Sequence, residues 1–332
     1  MTAPVRPLLK WAGGKRQLLP VLSEHYPAAF TRYVEPFLGS GAVFFDLLNA
    51  GRLAHCSIEL ADVNPDLIGC YSTLRDRTEE VISELASLER EHRADGAACY
   101  YKVRDERFNP QRATLMAEVG PARASLPYTP ALAAMLIFLN RTGFNGLFRV
   151  NRRGAFNVPA GRYTDPRICD ASHLRAVAAA LGRTGVSLVL RGFEATLADT
   201  RAGDFVYCDP PYAPLSRTSS FAQYTAGGFT TVDQERLRKA VLAACVRGAR
   251  VVVSNSSAPE ILDAYEAADA RRAGLVVRRV PARRAINSRA SARGPVDELI
   301  ISNVARTALE TVRPRMAKLG GRSPRGRRLA QA

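Results

Sequence analysis

Residues 33–65 constrain the fold more than any other stretch of the chain. Tyr33-Val34-Glu35 reads as a short strand that runs into Pro36-Phe37-Leu38-Gly39-Ser40-Gly41, and the apolar run Val43–Leu48 opens a helix behind it. Ser57–Ala61 reads as a second strand, halted at Asp62-Val63-Asn64-Pro65. A strand, a glycine turn, a helix and a second strand ending in an acid make up half of a nucleotide-binding parallel sheet. Glycines in the turn let the backbone approach a ligand closely where the helix opens. Asp62 lies 23 residues beyond Gly39, near the spacing at which an acid meets ribose hydroxyls. Position 44 is Phe, not the third glycine of a G-x-G-x-x-G fingerprint, which disfavours a dinucleotide pyrophosphate.

The rhythm then breaks and later resumes. Residues 66–140 read as mostly helical, with Glu79–His92 amphipathic and Pro130–Leu139 apolar enough to be buried. Further helices are expected at Leu18–His25 and His173–Leu181, and Gly120–Pro130 reads as a connection. Asn145-Gly146 opens an expected hairpin, with strands Leu147–Asn151 and Ala155–Val158 around the turn Arg152-Arg153-Gly154. Strands return at Val186–Leu190, Phe205–Cys208, Arg250–Ser254, Leu275–Val280 and Leu299–Ser302. Among them a helix is expected from Thr231, on the capping pattern Thr231-x-x-Gln234. The expected fold class is α/β: a Rossmann-like sheet interrupted by a mostly helical insertion that carries a β-hairpin. Residues 1–65 plus 186–305 form one domain, 66–185 the insertion, and 306–332 a basic tail of disordered composition.

The sharpest motif is Asp209-Pro210-Pro211-Tyr212, directly after the expected strand Phe205–Cys208. Strand ends of open α/β sheets are where ligands bind. Two prolines stiffen the backbone and turn carbonyls outward. An acid, a rigid carbonyl and an aromatic ring suit a planar substrate bearing an amino group: Asp209 and the Pro210 carbonyl accept its two N–H bonds while Tyr212 stacks on its face. A third motif, Lys10-Trp11-Ala12-Gly13-Gly14-Lys15, holds the only Trp and two of the five Lys.

Charge points to a polyanion. The chain has 47 Lys+Arg against 31 Asp+Glu, net +16. Residues 271–296 hold eight Arg and no acid, and residues 306–332 hold eight basic residues against Glu310 alone. Most of the excess is therefore C-terminal, and Arg forks match phosphate and guanine. No apolar run approaches the roughly 18–20 residues of a membrane helix, so no membrane association is expected. The start of the chain lacks a signal-type apolar core, and six scattered Cys form no C-x-x-C pair. A cytoplasmic protein without metal is expected. Cys208 reads as a small buried strand residue, and none of the four His falls in a motif.

Together the blocks LKWAGGK, EPFLGSG, LADVN, LNRTGFNGLFRVNRRGAFNVPAG, YCDPPYAPLS and VDELIISN resemble the DNA adenine-N6 methyltransferases of the Dam type, in order and over nearly the whole chain to about residue 303. The 23-residue block from Leu139 to Gly161 is the most specific of them. The resemblance implies an S-adenosylmethionine-dependent, nucleoid-associated enzyme of bacterial or phage type, monomeric in solution, acting on adenine N6 in double-stranded DNA, with GATC as target. By position, Trp11, Ala12, Gly13, Lys15, Asp62 and Asp209 match cofactor contacts. Glu35, Pro36, Phe37, Gly39, Ser40 and Gly41 match the loop under its methionine part, and Phe193 its adenine. Phe144 matches an aromatic wedge in the DNA stack, with Asn145 and Leu147 beside it. Arg149 matches a guanine reader, Pro159 a contact to a thymine methyl, and Lys10 and Tyr163 readers of the outer base pair. Arg289–Pro295 and the basic tail depart from the pattern. Alternatives at this point are methylation of cytosine N4, RNA or a protein glutamine, a silent DNA-binding protein, and a restriction–modification subunit.

Overall fold

The computed structural model describes residues 3–11, 13–118, 127–212, 229–283 and 295–305. Seven strands form one sheet: β1 (Arg32–Glu35), β2 (Ser57–Asp62), β3 (Val186–Leu190), β4 (Asp204–Cys208), β5 (Arg250–Ser256), β6 (Val276–Arg283) and β7 (Pro295–Ser302), in the order β3-β2-β1-β4-β5-β7-β6. β1 to β5 are parallel, and β7 runs antiparallel between β5 and β6. The α/β fold class thus holds, and each expected strand in the sheet is present with ends shifted by a few residues.

Alternation along the strands builds a core on both faces. Phe205 and Tyr207 of β4 join one apolar cluster, whereas Val206 and Cys208 join the other. Successive side chains of a strand point to opposite faces, and a parallel strand covered on both sides is apolar throughout. Helix Thr231–Val246 packs on the second face through Leu237 and Val241. The first face continues without a break into helices Pro65–Asp76, Thr78–Asp95 and Pro130–Thr142. Helix Pro65–Asp76 begins with Pro at its first position, and the Asn64 side chain accepts from the N–H groups of Asp66 and Leu67. That cap satisfies donors no helical bond can reach.

Three local expectations are corrected. The expected hairpin forms no strands: 142–151 and 155–161 lie antiparallel, with only the isolated bridges Gly143↔Ala160 and Val150↔Phe156. Backbone bonds still join the two segments, Asn157 N to the Arg149 carbonyl and Gly161 N to the Thr142 carbonyl among them, but the two bridges do not share one register. Side chains take other groups: Asn109 exchanges two hydrogen bonds with Phe156 and Tyr100 Oη donates to the Val158 carbonyl at 2.9 Å. The capping box is one residue earlier: Thr230 Oγ1 accepts from the Asp233 N–H and the Asp233 carboxylate from the Thr230 N–H, while Gln234 turns inward. The first helix is short, Leu19–Leu22, flanked by 3-10 turns. Ala12, most of Gly120–Pro130, most of Arg289–Pro295 and the tail lie outside the described residues. Among the described residues no helix is long and apolar enough to cross a membrane.

Candidate active site

The order of strands reverses between β1 and β4, and crevices at such reversals collect ligands beyond the carboxyl ends of the strands. Glu35 ends β1, Asp62 ends β2 and Asp209 follows β4, so three carboxylates converge there. They share a cavity of about 410 Å³ with Trp11, Gly13, Lys15, Phe37, Gly39, Ser40, Phe193, Pro210 and Tyr212. Of the predicted cofactor residues, Pro36 and Gly41 stand behind this wall. Gly41 instead precedes helix Ala42–Asn49 with φ 68°.

Burial governs the three acids. Asp62 is pushed up to about 6 by burial, restrained by backbone N–H groups. Gly39 N donates to Oδ2 at 3.1 Å and Asn64 N to Oδ1 at 2.9 Å. Each oxygen keeps a lone pair for a hydroxyl. Burial pushes Glu35 well above the usual carboxylate range, although the Tyr33 hydroxyl donates to it at 2.9 Å. Asp209 is pushed up to about 6, first by burial, with Lys15 opposing. Lys15 Nζ sits 2.8 Å from Asp209 Oδ1 and is itself only 4% exposed. Burial also raises the Cys208 thiol far above its usual value, which keeps it protonated and unreactive.

Gly39 has φ +47°, and a Cβ there would lie 3.0 Å from Trp11 Cδ1. A methyl group there would press on the indole. Gly39→Ala should cost roughly 1–2 kcal/mol for the left-handed backbone alone. It should also displace Trp11, so thermal unfolding should show a lower midpoint and calorimetry weaker cofactor binding. A variant with both unchanged would remove this loop from the site.

Three aromatic rings wall the other side. Phe37 stacks on Phe193 at 5.5 Å, and Phe229 meets them at 6.0 and 5.8 Å. Sequence reasoning missed Phe229, which precedes the helix cap at Thr230 and carries no motif of its own. It missed Asn64 as well, whose Nδ2 is buried on the cavity edge without a hydrogen-bond partner.

The predicted DNA-reading residues form a neighbouring, exposed surface. Phe144 is 48% exposed and Tyr163 39% exposed. Asn145 is the one described non-glycine residue with positive φ, 54°. Lys10 Nζ lies 4.4 Å from the Tyr163 ring centroid. Arg149 is exposed and oriented: Nε donates to Asn157 Oδ1 at 2.8 Å and Nη2 to the Asn157 carbonyl at 3.3 Å. Leu147 is partly buried and Pro159 exposed on the two facing segments, joined by Phe144 N to the Pro159 carbonyl at 2.9 Å. Buried Asn140, also missed from sequence, ties this surface to the N-terminal motif. It donates to the Lys10 carbonyl at 2.7 Å and to the Gly146 carbonyl at 2.8 Å. Trp11 completes the junction, stacking on Phe148 at 5.6 Å and 21°.

The chain is similar to known DNA methyltransferases. The Type II methyltransferase M1.LlaDCHI of Lactococcus lactis subsp. cremoris is 35% identical over 299 residues, 90% of this chain and 95% of that protein. The Type II methyltransferase M.MjaIII of Methanocaldococcus jannaschii is 37% identical over 310 residues, 90% of this chain and 99% of that protein. The DNA adenine methylase of Escherichia coli K12 is 35% identical over 295 residues, 89% of this chain and 94% of that protein. Residues 11–277 match the family described as D12 class N6 adenine-specific DNA methyltransferase. The chain therefore belongs to the D12 class of N6 adenine-specific DNA methyltransferases and is an adenine-specific DNA methyltransferase.

Proposed function

We propose that the chain methylates N6 of adenine within GATC in double-stranded DNA, with S-adenosylmethionine as donor, by flipping the base and direct in-line transfer. The observation that carries this reading is the Trp11 ring. It lies against Gly39 on the cavity side and stacks on Phe148 of the 139–161 block on the other, which supports a donor cavity and a DNA-reading surface that share one residue. The cavity suits the donor: Asp62 can accept ribose hydroxyls, and Phe37, Phe193 and Phe229 offer faces to a purine. Bound there, S-adenosylmethionine supplies an electrophilic methyl group on a sulfonium.

The residues of the chain do the rest. Extruding the adenine costs a few kcal/mol, offset by Phe144 entering the stack and by Tyr212 receiving the base. The amino nitrogen is conjugated with the ring and is a poor nucleophile. Asp209 and the Pro210 carbonyl accept its two N–H bonds and draw it toward tetrahedral geometry, which exposes its lone pair. The nitrogen takes the methyl group as the S–CH3 bond breaks, a neutral thioether leaves, and the methylated nitrogen releases one N–H proton to solvent. The acceleration comes from positioning and electrostatics. Residues 1–65 and 186–305 hold the donor and the catalytic groups in this reading, and residues 66–185 read the DNA. Arg149 reads guanine in the major groove, Pro159 touches a thymine methyl, and Lys10 with Tyr163 reads the outer pair.

The test is incubation of unmethylated plasmid with protein and S-adenosylmethionine. Cleavage by a nuclease blocked by GATC methylation should be lost, cleavage by an insensitive one kept, and hydrolysed DNA should contain N6-methyladenine. Methyladenine with unaltered GATC digestion would reject the target site; methylcytosine would reject the chemistry.

Acid should switch the reaction off. Asp62 and Asp209, both raised to about 6, accept hydrogen bonds as carboxylates. A raised acid is ionised above its pKa and protonated below it. The pH profile of kcat/KM should therefore be flat above about 7 and fall through about 6 with a slope between one and two. A profile level down to pH 5 would contradict this.

A further inference from the structure

β7 runs against its neighbours, and this has a consequence at the site. An antiparallel strand beside β5 places its first residues at the carboxyl edge of β5. The register pairs Glu298 with Ser256, the last residue of β5. Asp209 follows β4, which lies next to β5. Glu298 thus reaches the catalytic edge from a strand that takes no part in the parallel half of the sheet. Its Oε2 accepts the Tyr212 hydroxyl at 2.5 Å, across 86 positions of sequence.

The backbone around Tyr212 is held independently. Pro210 and Pro211 restrict φ. Buried Gln234 donates to the Pro211 carbonyl at 3.0 Å and accepts from Asn255 Nδ2 at 3.0 Å. Neither contact sets the plane of the ring. Lys15 Nζ lies 4.5 Å from the ring centroid on one face. The swing of the ring about its Cα–Cβ bond is limited at its far end by Glu298.

We propose that Glu298 is a positioning residue for methyl transfer: by accepting the Tyr212 hydroxyl, its carboxylate anchors the far end of the ring on which the target base stacks. This rests on the reading of Tyr212 as the stacking ring. Glu298 also acts on Asp209 as a like charge that raises it. The groups facing Asp209 are Lys15 from the N-terminal motif, Glu35 from β1, Tyr207 from its own strand, Tyr212 and Glu298.

The experiment is a double-mutant cycle under single-turnover conditions, with saturating S-adenosylmethionine and GATC duplex. Glu298→Ala should slow methyl transfer roughly ten- to hundredfold, with dissociation constants for both ligands changed less than about threefold. In a Tyr212→Phe background the same substitution should cost less than about threefold, because the bond is already gone. Glu298→Gln keeps an acceptor oxygen, so it should recover most of the rate at neutral pH, with the acid limb moved below wild type as the like charge disappears. If Glu298→Ala does not fold, Glu298→Asp serves in its place, since it keeps the charge but withdraws the acceptor by one methylene. Equal losses in both backgrounds, a loss confined to DNA affinity, or a near-normal rate in a folded Glu298→Asp protein would overturn the proposal. Wild-type protein on unmethylated GATC duplex separates the two levels. If wild type forms no methyladenine, the functional reading fails. If it does and the cycle is additive, only the role of Glu298 fails.

Discussion

Asp209→Ala is expected to lower the single-turnover methylation rate about a thousandfold, with DNA affinity within a few-fold of wild type. The magnitude follows from what the carboxylate does. It accepts one of two N–H bonds on a nitrogen whose lone pair must leave conjugation, and removing one preorganised partner of a transition state costs about 10²–10³ in rate. The desolvation that raises Asp209 to about 6 adds to this, since a charge aimed in a site poor in water acts more strongly than the same charge in solvent. Lys15 complicates the alanine variant: it is 4% exposed and paired with Asp209, and the substitution strands a buried cation. Asp209→Asn keeps the shape and one acceptor oxygen and separates the two effects. Both variants should be slow, and Asn should melt closer to wild type. Transfer of a labelled methyl group in one turnover measures the rate. A folded Asp209→Ala protein that binds donor and DNA yet methylates at near-normal rate would remove Asp209 from the chemistry.

Arg149→Ala should lose roughly 1–3 kcal/mol of discrimination at one base pair of the target, about five- to 150-fold in relative kcat/KM. Asn157 holds Nε and the guanidinium is presented in advance, so little side-chain freedom is lost on binding. Arg149→Lys should not rescue, because an ammonium cannot form the planar two-point contact to guanine O6 and N7. The measurement compares GATC duplexes with singly substituted ones at fixed salt. Equal loss on every sequence would make Arg149 a phosphate contact.

These two residues differ in how far the chain announces them. Asp209 is legible because its neighbours carry the information: an apolar strand, two prolines and an aromatic ring place an acid at a strand end by local chemistry alone. Arg149 is legible only through the resemblance carried by the block around it. The turn at Arg152–Gly154 places Asn157 opposite Arg149, with Val150 opposite Phe156 and Asn157 N donating to the Arg149 carbonyl, but only the structure shows that the Asn157 side chain holds the guanidinium. That segment has few ladder bonds and is held by Asn109, Tyr100 and Asn140 from helices.

Charge misleads in a related way. The net +16 points to a polyanion, yet the proposed reading surface lies within residues 10–163. Residues 284–294 and 306–332, which hold much of the excess, lie outside the described residues. Screened, sequence-independent attraction and directed base contacts are different terms, and composition reports only the first.

The sequence alone determined the parallel sheet, the two loops at its carboxyl edge and the acids that end the strands. Each follows from periodicity, glycine and proline over a few consecutive residues. Only the tertiary structure decided which distant groups meet there: Lys15 on Asp209, Trp11 between Gly39 and Phe148, Phe229 on the aromatic wall, and Glu298 on Tyr212. Those contacts depend on where an antiparallel strand inserts and on how helices pack over the sheet. Both are settled by pairing and burial between segments far apart in the chain, for which a local pattern carries no signal.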